Sequence, residues 1–123
     1  MHERPQRQRA MRLDVKIARQ AMNVVLPTNR QIGPWQTRAA HLQVLAEKLS
    51  ADGRHDRRIA EEARRLLDAV ELQTRKLSDK VEGLPAEVAD STRLDDTARA
   101  LRSVAAVLER TLALMPPGDG QAG

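Results

Sequence analysis

The sequence predicts an all-α protein: an antiparallel four-helix bundle, up-down-up-down, with a longer C-terminal helical hairpin. Three observations predict it. Apolar residues recur at alternating steps of three and four, the period of an amphipathic helix, and nowhere alternate with polar ones as a strand would require. The apolar content is 41%, yet it includes one Trp and no Phe or Tyr. A core of Leu, Val, Ala, Ile and Met suits closely spaced helices better than sheets. Proline and glycine cut the apolar pattern into four segments, and 123 residues suffice for one domain.

The first stripe is Met11, Val15, Ala18, Met22 and Val25, widened by Leu13, Ile17, Ala21 and Val24 and stopped at Pro27. The second is Trp35, Ala39, Leu42, Ala46 and Leu49, with Pro34 in its first turn and Gly53 as C-terminal cap. The third runs Ile59, Ala63, Leu66, Val70, Gln73, Leu77 and Val81, up to "EGLP". Gln73 interrupts that stripe either as a boundary residue or as a polar group that sets register. The fourth is the most regular: Leu94, Ala98, Leu101, Ala105, Leu108, Leu112 and Met115. Ser91 or Thr92 is its expected N-cap, Thr92 and Asp95 forming a box-like pair, and Pro116 and Pro117 end it.

The bundle thus occupies residues 9–115. A basic flexible arm over 1–8, where Pro5 opposes a helix, and a disordered tail over 116–123 flank it. Glu61 with Arg65, Glu71 with Arg75 and Asp95 with Arg99 stand at ion-pair spacing on solvated faces.

Helix lengths are unequal. The first two segments have room for roughly 17 residues each, about 25 Å, against about 36–42 Å for the third and fourth. The far end of the later hairpin is then expected to project, carrying Leu77, Val81, Leu84, Val88, Leu94 and Leu101, unless the connection around "LPAEVADS" folds back and covers it. An exposed apolar strip of that size marks a surface for another protein or a second copy, as in a homodimer.

Charge is uneven as well. The first twenty residues hold Arg4, Arg7, Arg9, Arg12, Lys16 and Arg19 against Glu3 and Asp14, which accounts for the whole net charge of +4. Arg9, Arg12, Lys16 and Arg19 step by three, four and three, a rail along one helix flank. In an up-down bundle this end lies beside the turn carrying Arg54, His55, Arg57 and Arg58, giving one basic pole. Such a pole suits phosphates of nucleic acid, contacted without sequence readout, or an acidic protein. Membrane contact is disfavoured, because the first helix lacks aromatic anchors and is needed to complete the bundle.

Catalytic chemistry finds little to use. There is no cysteine, no Gly-rich phosphate loop and no histidine at metal-ligand spacing from an acid. The adjacent acids Glu61–Glu62 and Asp95–Asp96 diverge by about 100° on a helix. His41 stands mid-helix like the histidine of a histidine phosphotransfer domain, but "RAAHLQVLAEKL" lacks the Lys and Gly of that motif. Trp35 is expected to plug the core over a helix end, or else to anchor an interface. No apolar run reaches the ~20 residues of a membrane span and no signal-peptide core follows Met1, so a cytoplasmic chain is expected.

The sequence therefore predicts a non-enzymatic protein-interaction module without a cofactor or metal. It would serve as an adapter, regulator or assembly factor, binding a macromolecular partner through the projecting hairpin and the basic end. The alternative is a nucleic-acid-associated accessory protein that contacts phosphates through the N-terminal arginines.

Overall fold

The computed structural model describes residues 3–88 and 93–116, and the side-chain surroundings of all of these except 3–14 and Val81. The described chain is all-helical: α1 (Glu3–Ala51), α2 (Arg57–Val81) and α3 (Leu94–Leu114), with one further turn of helix at 86–88. Three long helices stand where four were expected, because the first two predicted segments are one helix of 49 residues. At 1.5 Å per residue α1 is about 73 Å long, against about 37 Å for α2 and about 31 Å for α3. The longest element is therefore the first, not the C-terminal hairpin.

Pro27 and Pro34 lie inside α1 without ending it. Both are exposed, and at seven residues apart they share the outer face. The carbonyls they leave without an intrahelical donor belong to Asn23 and Arg30, also exposed, so water can satisfy them. The inward positions, by contrast, never lose step: Ala21, Val25, Thr28, Ile32, Trp35, Ala39, Leu42, Ala46 and Leu49 alternate by four and three straight past both prolines. A proline in a helix interior costs about 3 kcal/mol. Burying Val25 and Ile32 on one continuous face offsets a cost of that order, at about 1.5–3 kcal/mol for each large aliphatic side chain. Pro5, expected to keep residues 1–8 out of the helix, falls in the first turn of α1, where no intrahelical acceptor is lost.

Cross-helix contacts fix the directions. Arg38 pairs with Glu62, and Thr28 lies beside Gln73, so each step along α1 matches a step back along α2. Asn29 meets Thr97 near the start of α3, while Met115 at its end meets Asp56. Hence α3 runs parallel to α1 and antiparallel to α2, and each helix packs on the other two.

The α1–α2 turn follows its residues closely. Gly53, at φ +68°, is the left-handed cap expected from the sequence. The N–H of Gly53 reaches the carbonyl of Ser50 at 3.0 Å and that of Arg54 reaches Leu49 at 2.8 Å, the bond pair of a Schellman motif. Asp56 caps α2, its carboxylate accepting from the Arg58 N–H at 2.8 Å. The buried Met115 sulfur accepts from the Asp56 N–H at 3.4 Å, closing this end of the core. The cap of α3 differs from expectation: Arg93 holds the N-cap position at φ 55° with no side-chain cap bond, and Ser91 and Thr92 lie outside the described residues.

Threonine takes places assigned to aliphatics. The buried positions of α3 are Leu94, Thr97, Leu101, Val104, Leu108 and Thr111, while Ala98, Ala105 and Leu112 sit half-buried at the margin. In α2 Leu67 is inward and Leu66 marginal. The threonines are tolerated because their hydroxyls are bonded within a turn or across one helix contact. Thr28 donates to the Val24 carbonyl at 2.7 Å, Thr111 to Val107 at 2.9 Å and the half-buried Thr74 to Val70 at 2.8 Å. Gln73 resolves as a partnered polar residue, its side-chain amide 3.4 Å from the Thr28 hydroxyl. Among the described residues no buried side-chain N or O lacks a hydrogen-bond partner.

Candidate interaction surfaces

The expected projecting strip is not exposed. Leu77, Val88, Leu94 and Leu101 are buried, Leu84 is half-buried against the core, and the Val81 side chain lies outside the described residues. The physical reason is the continuity of α1. With Gln73 beside Thr28, the end of α2 falls level with about residue 20 of α1, so α1 lies alongside α2 and α3 for their whole length. It is α1 that outreaches the others, by about 17 residues or ~25 Å.

The expected basic pole is divided for the same reason. Lys16 and Arg19 are exposed on the overhanging part of α1, with Arg4, Arg7, Arg9 and Arg12 upstream on the same helix but with side chains outside the description. Arg54 is exposed just past the other end of α1, about 50 Å from Arg19 along the helix axis, and the exposed Arg57 and Arg58 open α2 level with about residues 42–44 of α1, about 35 Å from Arg19. An unbroken helix carries its termini to opposite ends of the molecule, so these two groups cannot converge.

Near the second group α1 and α2 enclose an open groove of about 520 Å³ lined by Arg38, Arg58, Glu61, Glu62, Arg65, Leu66 and Ala69. Much of its charge is already spent: Arg38 pairs with Glu62, and Glu61 pairs with Arg57 at 3.0 Å. That second pair replaces the expected Glu61–Arg65 bridge, and Arg64–Asp68 at 3.4 Å is a further i,i+4 pair. All are surface pairs, worth at most about 1 kcal/mol. Glu71 with Arg75 and Asp95 with Arg99, also expected as pairs, do not form bridges.

His41 and His55 are exposed, and among the described residues no three His, Cys, Asp or Glu side chains converge to hold a metal ion. No described helix is long and apolar enough to cross a membrane. Trp35 is half-buried mid-helix against the core, rather than over a helix end.

Sequence reasoning missed one surface. Val15, Leu26 and Val44 are 52%, 48% and 47% exposed, and all three lie on α1. Successive members are eleven and eighteen residues apart, which places them within about 20° of one another around the axis. The signal is the spacing itself: in the sequence Val15 reads as part of the inward stripe, and Leu26 and Val44 as part of none. No family model, no curated protein and no solved structure matches this chain.

Proposed function

We propose that the chain is a non-enzymatic interaction module that holds a macromolecular partner along α1, as an adapter, regulator or assembly factor would. One observation carries this: α1 outruns both helices that cover it and keeps a row of aliphatic side chains half exposed along its outer face. An element that reaches about 17 residues past the helices it packs on, joined to a three-helix body, suits presentation to a partner better than enclosure of a substrate. The hairpin has no part in this proposal, since Leu77, Val88, Leu94 and Leu101 are used within the fold.

Purification of the tagged full-length chain from its source cell, with and without nuclease, tests the proposal. Retained protein that survives nuclease and is lost with K16E/R19E supports it. Recovery of the bare chain under both conditions refutes it. A second reading, a nucleic-acid-associated accessory protein, is favoured by α1 carrying nine Lys and Arg against three acids. Retention abolished by nuclease, together with duplex binding that weakens steeply between two salt concentrations, would select that reading instead.

A further inference from the structure

Each large exposed aliphatic of α1 is followed four residues later by a basic residue: Val15 by Arg19, Leu26 by Arg30, Val44 by Lys48. Four residues turn a helix by about 40° beyond a full revolution, so the basic side chains form a second row beside the aliphatic one. All three basic residues are exposed, and none is in an ion pair with a described residue. Beyond residue 14 the one carboxylate on α1 is Glu47, on the opposite side of the aliphatic row. The two rows span about 50 Å.

We infer that this face of α1 docks an acidic amphipathic helix of another protein, one whose aliphatic row is bordered by Asp or Glu. The inference rests on the interaction-module proposal and names the chemistry of its partner. Charge complementarity selects the occupant. In an antiparallel pair of copies, like flanks face each other, so Arg19, Arg30 and Lys48 would meet their own counterparts. In a parallel pair the facing flank offers Ala18, Met22, Asn29 and Gln36, with Glu47 as its one acid. A nucleic acid backbone would satisfy the basic row and leave the aliphatic row against phosphate. A membrane would have to be entered by a row one residue wide, interrupted by Gly33 and Thr37 and without an aromatic anchor. A carboxylate-bordered aliphatic helix satisfies both rows together, as in helix-in-groove and coiled-coil recognition.

The test uses the full-length chain in its source cell with a photo-crosslinking residue at position 26, and a control at the exposed Ser103 of α3. The expected product joins position 26 to a segment of another protein with Asp or Glu beside an aliphatic row. Its yield falls at least tenfold with Arg30→Glu and recovers with Arg30→Lys. A synthetic peptide of that segment binds the purified chain, and its Glu→Lys version does not. Crosslinks to α1 of a second copy, to nucleic acid, to lipid or to a segment without acids overturn the inference. So does a yield no higher than at position 103. Because Leu26 and Arg30 are exposed, unchanged circular dichroism and melting of each variant separate lost docking from lost folding. If purification retains a partner that is indifferent to position 30, only this inference falls and the interaction-module proposal stands.

Discussion

The Thr97 hydroxyl donates to the Asn29 side-chain oxygen at 2.9 Å, across 68 residues of sequence. The bond ties the first turn of α3 to α1 just past Pro27, and Thr97 is buried while Asn29 is exposed. Thr97→Val keeps the shape and removes the donor, and it is expected to cost about 1 kcal/mol. Asn29→Ala is expected to cost no more, because the freed hydroxyl can turn to the carbonyl one turn back as Thr28 and Thr111 do. Urea unfolding of both variants and the double mutant should give a coupling energy near the single-mutant cost. Purely additive losses would mean that the bond is not made in solution.

Pro27→Ala separates one helix from two. Inside a continuous α1 the substitution restores the N–H that can bond the Asn23 carbonyl, and the exposed ring has no core packing to lose. Stability should rise, by about 1–3 kcal/mol on the helix-propensity scale. In a turn between two helices the same change would loosen the unfolded chain and lower stability by about 0.4–1 kcal/mol. The sign of the shift in urea midpoint, at unchanged slope, decides between them.

That all elements are helices, and where α2 and α3 lie, was legible in the sequence; that α1 does not break was not. Proline is a strong local stop, and Pro27 and Pro34 bracket a polar stretch that reads as a connection. The contrary signal was nonlocal. The inward rhythm passes through Thr28, and Thr28 counts as apolar only when its hydroxyl is seen returned to Val24. The same error of class hid Thr97 and Thr111 and rotated the expected core of α3 toward Ala98, Ala105 and Leu112. One misplaced break also moved the candidate surfaces. It made the hairpin seem to project, brought Arg54, Arg57 and Arg58 beside the N-terminal arginines, and left the outer row of α1 unseen.

Two left-handed residues should respond with opposite signs. Gly53→Ala adds a Cβ that meets nothing within 4 Å, so the whole penalty comes from the backbone at φ +68° and is expected to be about 1 kcal/mol. Arg93 already bears that penalty at φ 55°, and its side chain makes no cap bond in return. Arg93→Gly should therefore stabilise the fold by about 1 kcal/mol. Thermal melts of the two variants beside the parent would show the midpoint moving down for the first and up for the second.

Truncating leucines distinguishes a core from a docking strip. Leu77 and Leu101 are 1% and 0% exposed, so alanine at either site removes transfer energy and leaves a cavity, at about 2–5 kcal/mol. Leu72 lies on the outer face of α2 and is 45% exposed; there alanine should change stability by less than about 0.5 kcal/mol. Were Leu77 and Leu101 instead part of an exposed tip, their truncation would leave the urea midpoint of the isolated chain near that of the parent and alter only its association. Measuring unfolding and molar mass on the same samples keeps the two effects apart. A large loss of stability at 77 and 101 with unchanged mass follows from α1 lying along the hairpin; parent-like stability at both sites would require that α1 be detached from it in solution.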